Sequence, residues 1–414
     1  QLDKAPIEHL PKYQAPILPP LASKTFEQIQ SAAQMLMQAQ NPVMFVGWGA
    51  VHASTDLIAI SEQIGGAVAT TMQGISAFAA NHPLHAGFCF GPAAVPAAQN
   101  AFNKADCVLA IGTRFGEIAT GSFGGQLPEK LIHIDINPKV FDANFKTAIA
   151  IEGDSALICQ QLLSALKSIG PAKDSSSLAN QIAVDKQAYR NTWYQHDSKN
   201  KVNPALYFDE LRAQLNDDAH LIVDDGNHTF LAAELMPIHS AYGFISPTDF
   251  NCMGYATPAA IAVKMAKPNN EVHAIVGDGA FMMTAMELAT AVAQNLGLVI
   301  GVFNDGELSQ IAQAQQIPYN RKTCTVLPQT KLKGLAMATG AEYVRIENNQ
   351  DIKTGLSQAR ALASNNKTVI LDINIDYSKA TAFTEGAVKT NLNRMPLPTK
   401  VRMVGRALAR KVTG

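Results

Sequence analysis

Apolar residues in this chain gather into short continuous runs that end abruptly. Pro42 to Val46 stops at Gly47-Trp48-Gly49. Ala105 to Ile111 (ADCVLAI) stops at Gly112. Leu131 to Ile136 (LIHIDI) stops at Asn137-Pro138, and Ala148 to Ile151 stops at Glu152-Gly153-Asp154. His220 to Val223, Glu271 to Val276, Leu298 to Phe303 and Thr368 to Ile373 repeat this rhythm further along. Helical patterns lie between the runs, over Thr25 to Ala39, from an Asp154 cap to about Leu166, and near Leu178 to Trp193. Runs without alternation read as strands buried on both faces, which implies parallel sheets covered by helices. The pattern predicts an α/β protein: two doubly wound parallel-sheet domains joined by a linker.

Composition divides the chain further. Residues 1–24 hold five prolines and read as an extended linker. Residues 25–166 form the central, Rossmann-like domain. Residues 167–203, rich in Ser, Lys, Asp, Asn and Gln, read as a surface connector. Residues 204–390 form the second sheet domain, and 391–414 a basic, partly helical tail. Of the 414 residues, 47% are hydrophobic and 16% charged, enough for large cores. The formal net charge of −1 argues against nucleic-acid and membrane-surface partners, which require basic patches. No apolar run reaches the ~18 residues that span a bilayer, and Gln1 to Pro20 has no signal-peptide pattern. Five cysteines without a CxxC pair read as reduced thiols, and the expected location is cytoplasmic.

The stretch 271–306 carries the chemistry. It reads EVHAIV, GDG, AFMMTAMELATAVAQNLG, LVIGVF, NDG: strand, tight turn, helix, strand, tight turn. A right-handed crossover makes its two strands parallel neighbours. Asp278 then sits just past the carboxyl end of one strand. Asn304, 26 residues on, sits just past that of the other, on the edge where open α/β sheets bind ligands. Two oxygen ligands from adjacent loops suit a hard cation such as Mg²⁺, which combines protein oxygens with phosphate oxygens. Gly277 and Gly279 let the backbone approach closely, and a helix opening at Ala280 aims free amides at an anion. A metal-bridged diphosphate pocket is the expectation. The plainer alternative is a βα turn with a solvated Asp278 and a hairpin-like Asn-Asp-Gly.

The GDG turn with its asparagine turn 26 residues later resembles the signature of thiamine-diphosphate-dependent enzymes. The superfamily is that of acetolactate synthase, pyruvate decarboxylase and benzoylformate decarboxylase. By that resemblance Asp278, the Asn304 side chain and the Gly306 backbone carbonyl ligate Mg²⁺. Phe303 stands where many relatives have a first asparagine. Asp225-Gly226-Asn227-His228 resembles the family's VGQHQ turn, which holds the far phosphate and nominates Gly226, Asn227 and His228. The plainer reading of His228 is an exposed loop histidine. Asn251-Cys252-Met253-Gly254-Tyr255-Ala256-Thr257-Pro258-Ala259-Ala260-Ile261 resembles GTMGFGLPAAIGA of acetolactate synthases. There the methionine is the wedge that bends the cofactor, a role that falls to Met253, with backbone groups of Asn251 and Met253 on the pyrimidine. A methionine as core filler is the plainer reading. The first domain resembles the family's central domain through Ala69-Thr70-Thr71-Met72-Gln73-Gly74, His82-Pro83-Leu84, Ile111-Gly112-Thr113-Arg114-Phe115 and His133-Ile134-Asp135-Ile136-Asn137-Pro138.

The resemblance covers roughly residues 25–390, and 204–390 becomes the thiamine-diphosphate/Mg-binding domain. It implies decarboxylation of a 2-oxo acid followed by carboligation, with the thiazolium as electron sink, in a homodimer or tetramer. It also implies that this chain is the C-terminal two-thirds or more of a longer enzyme. The family's first domain supplies the glutamate that activates the cofactor, so no catalytic residue is nominated here and the chain alone is expected to be inactive. Some relatives bind FAD in the central domain, others ADP, others nothing. FAD binders often carry Asp-Asp-Arg after the Arg-Phe pair; Gly116-Glu117-Ile118 stands there instead, and Trp48 replaces a small residue, so FAD is not expected. Within the family the alternatives are a 2-oxo acid decarboxylase, a glyoxylate carboligase and an oxidase. Glu307 to Gln316 (ELSQIAQAQQ) lacks the Tyr-x-Met of acetolactate synthases, and Gln310 and Gln313 are expected to face solvent. Outside the family the alternative is a non-catalytic pair of nucleotide-binding domains, although no GxGxxG follows a strand with an acid about 20 residues on.

Overall fold

The structure is a computed structural model that describes residues 23–413. The proline-rich arm, apart from its last two residues, lies outside the described residues. Twelve strands are described, in two sheets: β1 (Pro42–Val46), β2 (Ala67–Thr70), β3 (His85–Phe88), β4 (Cys107–Ile111), β5 (Leu131–Asp135), β6 (Ile149–Glu152), β7 (His220–Val223), β8 (Phe244–Ile245), β9 (Val272–Gly277), β10 (Leu298–Phe303), β11 (Glu342–Ile346) and β12 (Thr368–Ile373). The first sheet runs β3-β2-β1-β4-β5-β6 and the second β11-β12-β10-β9-β7-β8, with every pair parallel. In both sheets the chain winds outward in two directions from a central pair, β1/β4 in the first and β7/β9 in the second. Each order places a crevice at the carboxyl ends of that pair.

The apolar runs form the central strands for the expected reason. Residues 42–46, 107–111, 298–303 and 368–373 are buried at every position, so both sheet faces must be covered. Four strands have no counterpart among the expected runs. β2 (AVAT) and β3 (HAGF) are only four residues long, β8 has two, and β11 (EYVRI) alternates exposed and buried positions at a sheet edge. Short or edge strands carry little continuous apolar signal.

Two further expectations are corrected. The helix expected to run unbroken to Gly297 is interrupted: Asp278–Thr284 gives way to a 3₁₀ turn at Ala285–Glu287 and then to Leu288–Ala293. It also starts at Asp278, not Ala280, with Gly277 as the N-cap residue; the Asp278 carboxylate accepts the Gly279 amide at 2.9 Å. The segment expected to be a connector contains its expected helix. Its helix Ser176–Tyr194 carries many exposed polar residues, but Trp193 is completely buried and its carbonyl accepts from the Asn203 amide at 2.8 Å. The basic tail is helical over Ala382–Arg394 and Leu397–Thr413.

One apolar cluster extends through both sheets. Phe383, on the Ala382–Arg394 helix, links them. It stacks on Phe230 at 4.5 Å between centroids and meets Phe88 at 5.5 Å. Among the described residues no helix is long and apolar enough to cross a membrane.

Asp154 caps the Ser155–Ile169 helix by accepting from the amides of Ala156 and Leu157. Asp154→Ala should therefore cost about 1 kcal/mol in urea unfolding with native secondary structure retained; an unchanged midpoint would show that the cap contributes nothing.

Candidate functional site

Asp278 is the first residue after β9, and Asn304 the first after β10. The register pairs Gly277 with Phe303, so the two turns lie side by side at the carboxyl edge of the sheet. The Asp278 carboxylate reaches across to the second turn, where it accepts the Gly306 amide at 2.8 Å. Gly306 has φ +75°, the left-handed region that glycine adopts without penalty. Its carbonyl accepts from the Leu327 amide at 2.9 Å, which leaves one oxygen lone pair. The Asn304 side-chain nitrogen donates to Asp372 at 3.1 Å, on the neighbouring strand β12.

A cavity of 130 Å³ opens in front of these turns. Of the residues nominated from sequence, Gly226, Asn227, His228, Met253, Gly277, Asp278, Gly279 and Ala280 form its wall. Asn304, Gly306 and Asn251 do not line it. Asn251 is exposed with φ +54°, on the loop leading to Met253. The wall also contains Tyr377, which sequence reasoning passed over, and Asp225, Asp305, Glu307 and Gln310, which it read within motifs without nominating as site residues. Gln310 therefore faces the cavity, and the Gln313 side chain donates to the Tyr377 carbonyl at 3.0 Å; the solvent-facing expectation for this pair is corrected.

His228 is likewise no exposed loop histidine. It lies in the first turn of the Asn227–Leu235 helix, 3% exposed, with its Nδ1 3.5 Å from the Tyr377 hydroxyl. Burial pushes its pKa down to about 3, so the ring is neutral. Gly226 makes room for it: with φ +154°, a Cβ there would stand 2.6 Å from the imidazole. The Thr229 hydroxyl accepts the Gly226 amide at 3.1 Å and donates to the Asp224 carbonyl, which locks this turn.

Met253 is held by a residue that sequence analysis missed. Asp224, at the end of β7, is wholly buried, and its carboxylate accepts the amides of Asp225, Gly254 and Ala256 at 2.7–2.9 Å. These bonds tie the Met253 loop to the strand end. Asp224 escaped notice because the motif resemblance begins one residue later.

The electrostatics are one-sided. Burial raises the carboxyl pKa of Asp225 and Asp278 and pushes those of Asp224 and Asp305 up to about 6. The Asp278 carboxylate is further raised by Asp372, and Asp305 by Asp278. No lysine or arginine lines the cavity among the described residues. Three buried polar atoms here lack any hydrogen-bond partner: Asn227 Nδ2, His228 Nε2 and Asp305 Oδ1. Two are nitrogens that can donate to an anion, and one is an oxygen that suits a cation. Acids gathered on a wall without lysine or arginine suit a divalent cation, which would in turn draw a phosphate group. Among the described residues no three His, Cys, Asp or Glu side chains cluster as a self-sufficient metal site, so a bound ion would need backbone, amide or ligand oxygens as well.

Comparison with known proteins agrees with this arrangement. Residues 29–162 match the family described as thiamine pyrophosphate enzyme, central domain, and residues 224–373 match thiamine pyrophosphate enzyme, C-terminal TPP binding domain. The acetolactate synthase large subunit of Corynebacterium glutamicum is 28% identical over 376 residues, 87% of this chain and 59% of that protein. A probable acetolactate synthase large subunit of Methanocaldococcus jannaschii is 30% identical over 85% of this chain and 60% of its own length. The acetolactate synthase isozyme 3 large subunit of Escherichia coli is 27% identical over 85% and 62%. The chain thus spans about 60% of the length of the curated relatives it matches.

The neutral His228 gives a pH signature. Its folded-state pKa of about 3 lies below the unfolded value of about 6.5, so its contribution is complete above pH 6.5 and is lost as pH falls toward 3. Between pH 7 and pH 5, His228→Gln should lose about 2 kcal/mol less unfolding free energy than wild type. Equal losses in the two proteins would mean that the imidazole is not held neutral.

Proposed function

The chain belongs to the superfamily of thiamine-pyrophosphate-dependent enzymes, and from that premise we propose that it holds the diphosphate of thiamine diphosphate through a Mg²⁺ ion and serves an acetolactate synthase-like reaction on a 2-oxo acid. The observation that carries this reading is that Asp225, Asp278 and Asp305, from the ends of β7, β9 and β10, line one cavity whose wall holds no lysine or arginine among the described residues.

In this reading Asp278 supplies the carboxylate ligand. Asn304 supplies its amide carbonyl, since the NH₂ end is engaged by Asp372. Gly306 supplies the remaining lone pair of its main-chain oxygen. His228 Nε2 and Asn227 Nδ2, both buried without partners, donate to phosphate oxygens, aided by the N-terminal turn of the Asn227–Leu235 helix. Gly226, Gly277, Gly279 and Ala280 keep the backbone close. Met253 presses on the cofactor's ring system, held by the bonds to Asp224, and Asn251 contributes backbone contacts at the pyrimidine. Thiamine diphosphate, when bound, supplies the electron sink for decarboxylating the 2-oxo acid. We assign no residue of this chain to proton transfer and no step to a flavin. Arg114, beside the central domain's 250 Å³ cavity, is already paired with Asp249 at 2.9 Å.

Phe250, in the loop before Met253, Met283, on the helix that opens at Asp278, and Met286, in the turn that follows it, are exposed by 86%, 61% and 70%. This exposed apolar surface supports a second copy covering it, hence a homo-oligomer. Sedimentation as a monomer at micromolar concentration would count against that. Five cysteines outside any disulfide, three of them buried, support a reducing, cytoplasmic setting.

Calorimetric titration tests the cofactor assignment. Thiamine diphosphate should bind in the presence of Mg²⁺ and not in excess EDTA, while NAD should leave the melting temperature unchanged. Asp278→Ala should weaken binding at least roughly a hundredfold with native circular dichroism. Undiminished affinity in that variant would remove Asp278 from the metal site.

A further inference from the structure

A second cavity, of 340 Å³, lies away from the cofactor site, between strand β3, the connector helix Ser176–Tyr194 and the Asn227–Leu235 helix. Ile75, Phe88, Val95, Leu235 and Met236 make part of its wall apolar. Lys186 brings a charge into it. Its Nζ lies 3.2 Å from His85 Nδ1 and 3.4 Å from the Ala80 carbonyl, and no carboxylate among the described residues forms an ion pair with it.

The acids nearby are already engaged. Glu234 accepts from the Tyr189 hydroxyl and from the amides of Ala382 and Phe383. Asp209 takes Arg190 and the Tyr194 hydroxyl, and Asp185 takes the side-chain amides of Asn100 and Gln181. Burial pushes Lys186 down to about 8, and burial with the adjacent Lys186 charge holds His85 well below its ordinary value. The imidazole is therefore neutral and accepts from the ammonium. A partly buried ammonium supported only by a neutral ring and a carbonyl is under-compensated, and an anion placed beside it would gain a charge-assisted hydrogen bond.

We propose that this cavity is a binding site for a small monocarboxylate with an aliphatic or aromatic body, its carboxylate on Lys186 and its body on the apolar wall. The charge balance selects this class. One uncommitted cation matches one negative charge, whereas Asp185, Asp209 and Glu234 in the same wall oppose a dianion such as phosphate. Arg190, the other cation there, is committed to Asp209. No role in the cofactor chemistry is needed for this site, so it stands apart from the functional reading above.

The test is titration of the purified chain with 3-methylbutanoate, benzoate, 3-methylbutanamide and inorganic phosphate, read by calorimetry. At least one of the two carboxylates should bind with a single site, and the amide and phosphate should not. Lys186→Gln should weaken carboxylate binding roughly thirtyfold or more. Ala233→Leu, which fills the cavity and keeps Lys186, should abolish it; both variants are checked for native far-ultraviolet circular dichroism. The proposal is overturned if neither carboxylate binds at millimolar concentration, if the amide binds as well as the acid, if phosphate binds instead, or if Lys186→Gln binds unchanged. The comparison of acid with amide on the wild-type chain decides the matter even where a variant fails to fold.

Discussion

Carboxylates crowded at the ends of three adjacent strands, without a cation on the cavity wall, are the constraint on which this site depends. Asp224, Asp225, Asp278 and Asp305 all lie where β7, β9 and β10 deliver their chain ends, and burial raises the pKa of each. They differ in how they are satisfied. Asp224 spends its oxygens on three backbone amides and acts as a structural clamp. Asp278 spends one oxygen on each of two amides, so its carboxylate is oriented with lone pairs to spare. Asp305 keeps one oxygen buried with no partner at all. Burial is what raises these groups most, and under the proposed function a divalent cation would offset it while drawing phosphate.

The sheet makes the crowding unavoidable. Parallel strands send all their carboxyl ends to one edge, and the change of winding direction between β7 and β9 opens a crevice there. Ridges of apolar side chains hold the edge in place from below. Phe303, the last residue of β10, packs edge-on against Tyr207 and beside Phe208, so the turn that begins at Asn304 rests on a rigid base. From the side, Phe383 binds the second sheet domain to the first through Phe230 and Phe88. The cofactor site is therefore supported by one continuous core rather than by a loose loop.

The long, fully buried strands were legible in the sequence because continuous apolar runs leave few alternatives, and their turns located Asp278 and Asn304. The short strands β2, β3 and β8 and the edge strand β11 were not legible, since too few residues, or an alternating pattern, dilute the signal. At the site, glycines and spacing pointed to the GDG turn, and the family resemblance pointed to Gly226, Asn227, His228 and Met253. Burial was harder to read. His228 reads on paper as a loop histidine and is buried because Gly226 and Gly277 make room for its ring. Asp224, Asp305 and Tyr377 depend on contacts between residues far apart in the chain, such as Tyr377 with His228, and no local pattern encodes those. The Asn304 side chain turning to Asp372 likewise depends on β12, which lies 68 residues further along.

The central claim is that Asp278 places a divalent ion against a diphosphate at the β9/β10 edge. The most direct measurement is the anomalous scattering of Mn²⁺, substituted for Mg²⁺, in crystals of the chain grown with thiamine diphosphate. One strong peak is expected about 2.1 Å from a carboxylate oxygen of Asp278, also ligated by the NDG turn and by two phosphate groups. A peak bound elsewhere, or cofactor bound with no metal at Asp278, would contradict it.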